Sequence, residues 1–305
     1  MGNKILTGST SLMPSIYIII PVHNRKILTR YCLLSLHKQS YQKIKSIIID
    51  DGSGDGTIGM IQNEFPNVIV LHGDGNLWWT GAINLGVKYV LKYATIDDYI
   101  LTMNNDTVVN PDYLETLINC ASKKPKSLIG SIVLDGEKSR IVEDGGVNIN
   151  WFTAKFNFLS RSLDYEVIKN REHRVIPVDA LSGRGTLIPV KVFHNIGLYD
   201  SKNLPHYGAD YEFSHRAKMQ GYRLFVNYKS VVLNKVCFKS IITDTKISKW
   251  SKFIRSLFSR HSAFCIRYRW KFAKLTCPRT LFPTFFIFDI SRIIGGFILE
   301  QLKIK

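Results

Sequence analysis

Short apolar runs alternate with longer amphipathic segments through the first hundred residues. The runs are rich in isoleucine and valine and end at turn residues, which is typical of buried strands. They fall at residues 15–22, 45–51, 67–72 and 97–104. The segments between them predict helices at 27–38, 57–65 and 80–93. This alternation predicts an α/β fold in which helices cover both faces of a mostly parallel central sheet.

The second half of the chain is less regular. Residues 178–190 indicate a strand or a loop interrupted by glycines, and a short helix after them ends at Gly197. A further helix is predicted from about Ala209 to its stop at Gly221, and a strand follows it.

Polar side chains follow each of the four predicted strands. The clusters are His23 with Asn24, Asp50 and Asp51 with Ser53, Asp74 to Asn76, and Asn104 to Asp106. In open α/β sheets, ligands bind along the carboxyl ends of the strands. Turn chemistry alone explains any single cluster, because Asp, Asn, Ser and Gly are common in turns. Four clusters on one edge favour a shared site.

Composition restricts the class of protein. The chain has 305 residues, of which 45% are hydrophobic, enough for a large α/β domain with an appendage. The five cysteines are scattered and lack a CxxC spacing, which argues against a disulfide framework or a zinc site. The N-terminus lacks the apolar core of a signal peptide. We therefore expect a reducing, cytoplasmic compartment.

Positive charge is concentrated at the C-terminal end. The net charge is +17, and residues 235–305 carry 15 Lys and Arg against three acids. Basic tails bind nucleic acid or anionic lipid, and a merely soluble surface is the alternative.

Six motifs occur in an informative order and spacing. They are IIIPVHNR, IIIDDGSGDGT, GNLWWTGAINLG, the NND of LTMNNDT, LSGRGTLIP and GADYEFSHRAKMQGY. Over residues 15–235 the chain resembles the inverting family 2 glycosyltransferases of the A-type fold, bacterial enzymes, rhamnosyltransferases among them, that build polysaccharides from nucleotide sugars. The resemblance implies a UDP- or dTDP-hexose donor and a saccharide acceptor in a surface polysaccharide pathway such as capsule or lipopolysaccharide synthesis.

The resemblance also implies a donor pocket with a divalent cation, Mg²⁺ or Mn²⁺. Asp106 matches the last carboxylate of the family's metal-binding motif, and such ions use only one or two protein carboxylates beside substrate phosphates. Asp51 would accept hydrogen bonds from the base, and Asn105 would face ribose or sugar. The remaining expected donor-binding residues are Pro21, His23, Asn24, Asn76 and Trp79.

Two departures from the family pattern affect the metal site. The leading acids of the motif are asparagines here, and Asn234 stands near the point where relatives often have a histidine. Both departures predict weak metal affinity. A capped turn before Pro111 is the competing interpretation of Asn104 and Asn105.

Transfer to a hydroxyl needs a general base, a role the resemblance assigns to Asp210, with Glu212 as runner-up. Because the two residues are two positions apart on a helix, only one should reach the acceptor. The helix N-terminus should depress the pKa of Asp210 and keep it ionised. Gly183 and Arg184 are expected on the acceptor side.

The tail, at 236–305, predicts an amphipathic helix at its end. Asp289, Arg292, Gly296, Glu300 and Lys303 share a narrow stripe, opposite a wide apolar face. This pattern favours a helix in the interface of an anionic membrane, where the enzyme would meet a lipid-linked or oligosaccharide acceptor on the inner face of the plasma membrane. The alternative is that the apolar face packs on the chain's own domain or on a second copy in a homodimer.

The resulting division is an N-terminal extension at 1–14, a catalytic domain at 15–235 and the basic tail. The catalytic domain comprises a donor half at 15–110 and an acceptor half at 111–235. Two other functions stay open: a catalytically silent nucleotide-sugar-binding protein, and a nucleic-acid binder. The second is disfavoured because it leaves the motifs before residue 235 unexplained.

Overall fold

A computed structural model describes residues 13–136, 140–169, 174–235 and 249–302. Within these ranges there are twelve strands and ten helices. The strands are β1 (Ile16–Val22), β2 (Ile44–Asp50), β3 (Ile69–His72), β4 (Tyr99–Thr102), β5 (Thr107–Val109), β6 (Ser127–Asp135), β7 (Val142–Asp144), β8 (Val147–Asn150), β9 (Lys155–Phe158), β10 (Val175–Pro177), β11 (Thr186–Pro189) and β12 (Arg223–Asn234). The helices are α1 (Lys26–His37), α2 (Thr57–Glu64), α3 (Trp78–Val90), α4 (Tyr113–Lys123), α5 (Tyr165–Lys169), α6 (Val190–Ile196), α7 (Ala209–Met219), α8 (Lys249–Phe258), α9 (Ile266–Thr276) and α10 (Phe282–Leu302).

One large sheet organises the domain, with the strand order β10-β12-β6-β11-β4-β1-β2-β3. Strands β3, β2, β1 and β4 are parallel, and β6 is parallel to β12. Strand β11 runs antiparallel between β4 and β6, and β5, β7 and β10 add short antiparallel pairings. The predicted mostly parallel sheet is confirmed. The order of the strands reverses between β1 and β4, so a crevice is expected at their carboxyl ends.

Strand β1 shows how the sequence produces two cores. Its alternate side chains point to opposite faces of the sheet. One set of isoleucines packs with α1, α2 and α4, whereas Tyr17 and Ile19 pack with α3, α6 and α7. Gly86 lets α3 approach closely, because a Cβ there would lie 2.6 Å from Ile19 Cγ2. Close packing therefore outweighs the roughly 1 kcal/mol that glycine costs inside a helix.

The element boundaries differ slightly from the predictions. The third strand begins at Ile69, the fourth ends at Thr102, and α3 begins at Trp78. In the stretch at 178–190, only β11 is a strand, and the glycine-containing part before it is a loop.

The C-terminal helices are partly continuous with the main domain. Tyr268, Phe272 and Ala273 of α9 are buried in the same cluster as α7. Helix α10 is long and apolar enough to cross a membrane by length and composition alone, and Pro283 lies in its first turn, where proline is tolerated. Residues 1–12 of the extension, 236–248 of the tail and Lys303 of the polar stripe lie outside the described residues.

Candidate active site

The loops after β1 and β2 form one hydrogen-bonded unit. His23 Nδ1 lies 2.7 Å from the backbone oxygen of Asp51. The backbone N–H of Asn24 donates to Ser53 Oγ at 2.7 Å, and the N–H of Gly54 donates back to Asn24 Oδ1 at 3.0 Å. These bonds fix the first two predicted clusters beside each other at the carboxyl edge of the sheet.

Asp51 holds the third cluster in place. Its carboxylate, in a residue only 8% exposed, accepts backbone N–H bonds from Gly75 at 2.8 Å, Leu77 at 2.9 Å and Trp78 at 3.2 Å. A carboxylate has about four acceptor positions, so about one remains for a ligand. Asn76, on the same loop, is exposed. The donor-binding roles of Asp51 and Asn76 stay predictions.

The turn after β4 uses its two asparagines as structural groups. Asn104 Oδ1 accepts the indole N–H of Trp79 at 3.1 Å. Asn105 is 6% exposed, and its Nδ2 donates to Thr29 Oγ1 of α1 at 3.0 Å. The amide expected to face ribose or sugar is therefore turned toward α1, because a buried amide needs an internal partner. This geometry does not support the expected donor contact of Asn105.

Asp106 is suited to hold a cation. Its Oδ2 pairs with Arg25 Nη1 at 2.9 Å, whereas its Oδ1 is buried without a hydrogen-bond partner. A buried oxygen without a partner is rare and indicates a place for a ligand. No group of three or more His, Cys, Asp or Glu suited to a metal occurs among the described residues. Asp106 thus fits a Mg²⁺ or Mn²⁺ whose shell is completed by phosphates and water.

Asn234 belongs to a different network. Its Nδ2 donates to Glu143 Oε2 at 2.8 Å, and that oxygen also pairs with Arg184 Nη1 at 3.0 Å. A second nitrogen of Arg184 lies 3.6 Å from Asp144. Asn234 lies beside the Asp106 turn, because it pairs with Thr107 and the N–H of Lys235 donates to the Asp106 carbonyl, but its side chain is engaged by Glu143. Arg184 is fixed between two carboxylates.

Asp210 opens α7 with its carboxylate anchored on both oxygens. The N–H of Gly183 donates to Oδ2 and that of Tyr211 to Oδ1, each at 2.9 Å. Burial raises the pKa of Asp210 to about 6, against the opposing effect of the two N–H bonds and with a smaller contribution from Asp144. The expectation of a depressed pKa at the helix N-terminus is wrong, because desolvation is the larger effect.

Glu212 is excluded from the site by its ion pair. Its side chain accepts two bonds from Arg216, at 2.8 and 3.0 Å, and the residue is 4% exposed. Arg216 also donates to the carbonyls of Ile196 and Leu198. The prediction of Glu212 as an alternative base is corrected. Glu212 orients Arg216, which bonds α7 to the end of α6.

Trp79 connects the Asp106 turn with the Asp210 side. Its indole N–H bonds Asn104, and its ring packs on Gly183, where a Cβ would fall 2.1 Å from Trp79 Cζ2. Gly183 in turn bonds Asp210. One side chain therefore sets the spacing between the two ends of the site.

Helix α3 is also bonded to the segment before α7. Thr80 Oγ1 donates to the carbonyl of Leu204 at 2.7 Å. Asn84 exchanges two bonds with the backbone of Tyr199, at 2.8 and 3.0 Å. These contacts fix the segment that leads into α7.

Two neighbours of the site have no signal in the sequence pattern. Arg25 reaches Asp106 across 81 positions. His261 lies between α8 and α9, and its ring centroid is 4.7 Å from that of Trp78, which also contacts His206 with the ring centroids 5.9 Å apart. Such contacts depend on the tertiary fold and leave no local pattern.

Comparison with known proteins identifies the family. Residues 17–174 match the model of glycosyl transferase family 2, and residues 99–299 match that of glycosyl transferase family group 2. The chain belongs to the family 2 glycosyltransferases.

Three bacterial proteins illustrate the relatives of this glycosyltransferase. It is 26% identical over 61% of its length to an uncharacterized glycosyltransferase of Rickettsia felis, covering 29% of that protein. It is 27% identical over 52% of its length to the glycosyltransferase GlyG of Streptococcus pneumoniae, covering 50% of it. It is 26% identical over 35% of its length to the N-acetylglucosaminyl-diphospho-decaprenol L-rhamnosyltransferase of Mycobacterium tuberculosis, covering 37% of it. The glycosyltransferase thus spans half or less of the length of these relatives.

Two solved structures share the fold. The mannosyltransferase PcManGT of Pyrobaculum calidifontis, in complex with GDP-Man and Mn²⁺, superposes with a TM-score of 0.57 at 13% identity, over 93% of this chain and 70% of that one. GalNAc-T7 with UDP, GalNAc and Mn²⁺ superposes with a TM-score of 0.56 at 17% identity, over 72% of this chain and 43% of that one. The predicted A-type glycosyltransferase fold is confirmed.

Proposed function

We propose that this glycosyltransferase transfers a hexose from a UDP- or dTDP-sugar to a hydroxyl of a saccharide acceptor, with inversion. The observation that carries the proposal is the placement of Asp210. Its carboxylate is fixed by Gly183 at one end of a cavity and is linked through Trp79 to the turn that holds Asp106. A base and a leaving-group site on one rigid frame are what a single displacement requires.

In the proposed reaction the acceptor oxygen attacks the anomeric carbon while Asp210 takes its proton. The bond from that carbon to the diphosphate oxygen breaks, and the nucleoside diphosphate leaves. Each Asp210 oxygen accepts one backbone bond, which leaves acceptor capacity for the hydroxyl proton. General base catalysis of this kind contributes about 10²- to 10⁴-fold.

The donor would lie along the edge formed by the loops after β1, β2 and β3, against Pro21, His23, Asn24, Asp51, Asn76 and Trp79. A divalent cation held by Asp106 would neutralise the diphosphate, and both structural neighbours were solved with Mn²⁺. Arg25, 2.9 Å from Asp106, is a second positive charge at this end. On the acceptor side, Gly183 positions Asp210 through its N–H. Arg184, the next residue, is held by its ion pair with Glu143.

The acceptor is proposed to be lipid-linked, in a bacterial surface polysaccharide pathway at the inner face of the plasma membrane. The mycobacterial relative is named for a diphospho-decaprenol acceptor. Helix α10 supports membrane contact, because Ile287, Phe288 and Leu299 are exposed on its outer side.

Calorimetric titration of UDP, dTDP and GDP, with and without Mn²⁺, tests the donor pocket directly. We expect one nucleotide to bind, more tightly with Mn²⁺. Asp106→Ala should remove the Mn²⁺ effect, whereas Asp97→Ala, an exposed aspartate before β4, should not. Failure of all three nucleotides to bind would overturn the proposal.

A further inference from the structure

A cavity of about 700 Å³ lies between the start of α7, the β8–β9 hairpin and helices α8, α9 and α10. Asp210 is one of the residues that line it. Aromatic rings form much of the wall, from Phe156, Phe158, Phe253, Phe264, Phe272 and Phe297. The volume is that of an ordinary ligand site, so an acceptor approaching Asp210 from this side passes through an apolar chamber.

Helix α10 lines this cavity with its polar stripe, including Glu300, and with Ile293 and Phe297 of its apolar face. Asp289, Arg292 and Gly296 line the cavity, and Asp289 is 3% exposed in an ion pair with Arg269 of α9. Ile287 and Leu299, in contrast, point outward at 62% and 61% exposure. The cavity is therefore bounded by a helix whose outer side is suited to lipid, so an amphiphile held by a membrane could enter it.

Two guanidinium groups in the cavity have no carboxylate within ion-pair distance in the described part of the chain. Arg161 lies 4.8 Å from the centre of the Phe158 ring. Arg292 donates to the carbonyl of Thr153 at 2.7 Å. Arg269, by comparison, is neutralised by Asp289. Arg161 and Arg292 can thus bind an anion, and guanidinium groups suit the geometry of phosphate.

We propose that this cavity binds the diphosphate and the first isoprenoid units of a lipid-diphosphate-linked saccharide acceptor. Arg161 and Arg292 contact the diphosphate, and the aromatic wall near Phe253 and Phe297 packs on the chain. This inference rests on the proposed function, since it places the acceptor's saccharide at Asp210. A water-soluble oligosaccharide could stack on the aromatic wall, but it would need neither the guanidinium groups of Arg161 and Arg292 nor the apolar outer side of α10.

A matched pair of glycines tests the location. Gly296 lines the cavity, Gly295 does not, and a Cβ at either position meets nothing within 4 Å. Farnesyl diphosphate, with farnesol and inorganic pyrophosphate for comparison, is the probe, and binding is measured by calorimetry. We expect at least tenfold weaker farnesyl diphosphate binding in Gly296→Leu and no change in Gly295→Leu. Equal binding in both variants would overturn the proposed location.

The anion site is tested by Arg161→Gln and Arg292→Gln, with Arg279→Gln on another surface as the control. Wild type should prefer farnesyl diphosphate to farnesol and to pyrophosphate, and each cavity variant should lose several-fold of that preference. Farnesol binding as tightly as the diphosphate to wild type would overturn the diphosphate assignment.

Nucleotide binding in the same samples separates the two levels of the proposal. Wild-type protein that binds a nucleotide but not farnesyl diphosphate overturns this inference and leaves the proposed function standing. Protein that binds neither overturns both.

Discussion

Asp210 combines two properties that rarely occur together on a surface acid. Two backbone N–H groups fix its orientation, and burial raises its pKa to about 6. A base whose pKa lies near the working pH is ionised at pH 7 yet basic enough to accept a proton.

The first prediction concerns pH. Below about pH 6 the carboxyl of Asp210 is protonated and cannot act as a base, so the rate of sugar transfer should rise with pH through an apparent midpoint near 6. Initial rates at saturating donor between pH 5 and 8 measure this. A flat profile over that range would contradict the assignment.

The second prediction concerns Arg25, which competes with a cation for Asp106. Arg25→Gln should tighten Mn²⁺ binding in the absence of nucleotide by up to about fivefold, because exposed ion pairs contribute at most about 1 kcal/mol. Calorimetric titration of Mn²⁺ measures it. Arg30 lies further along α1 and makes an exposed ion pair with Glu64 of α2. Arg30→Gln removes that pair and should leave the Mn²⁺ affinity unchanged. Equal affinities in all three proteins would argue against competition.

Predictions for single residues were right where helical spacing determines the position of a side chain. They were wrong where burial determines its pKa or its orientation. The helical spacing of Asp210 and Glu212 correctly placed them on different sides of α7. The pKa of Asp210 and the orientation of Asn105 depend on which groups lie within a few ångströms after folding. Neither is visible in a local pattern.

Helix α3 forms a joint with the segment that precedes α7. The paired bonds between Asn84 and Tyr199 satisfy buried backbone groups of the segment before α7. Movement at this joint would displace Gly183 through Trp79, and with it Asp210.

The third prediction follows from this joint. Asn84→Ala leaves the N–H and carbonyl of Tyr199 without partners and should lower the free energy of unfolding by about 2–4 kcal/mol. Urea unfolding measures it. Asn119→Ala, on the exposed side of α4, should change stability by no more than about 0.5 kcal/mol. Similar stabilities for the two variants would contradict the role of Asn84.

The fourth prediction concerns the outer side of α10. The double substitution Ile287→Ser and Leu299→Ser should weaken partitioning onto anionic vesicles at least about tenfold, since burying each aliphatic side chain contributes about 1.5–3 kcal/mol. Sedimentation with vesicles measures it. Val167→Ser, equally exposed on α5, is the control. Partitioning that is unchanged in the double variant would argue against membrane contact through α10.

The last helix shows what a helical wheel leaves open. The sequence correctly grouped Asp289, Arg292 and Gly296 on one side. It could not tell that Asp289 is turned inward, because its ion-pair partner is Arg269 on another helix. Part of the apolar side packs on the chain itself: Phe285 is buried, Phe286 contacts Trp270 and Phe297 stacks on Phe253. Ile287 and Leu299 stay exposed.

At the scale of the whole molecule, the fold was the most predictable property. Strands such as β1 are buried on both faces, and their isoleucine-rich sequences therefore predict a parallel sheet clearly. The antiparallel strand β11 could not be told from a loop in the sequence. The glycine-containing loop before it contacts Asp210 and does not pair in the sheet. The net charge of +17 would suit the anionic membrane surface that is proposed to contact α10.

The measurement that tests the central claim most directly compares Asp210→Asn with Glu212→Gln in a sugar-transfer assay. Both substitutions remove one negative charge from α7. We predict that Asp210→Asn lowers the rate about 10²- to 10⁴-fold with nucleotide binding unchanged. Glu212→Gln should instead lower thermal stability through its broken pair with Arg216, while folded protein keeps most of its activity. Equal transfer by Asp210→Asn and wild type would contradict the proposed mechanism.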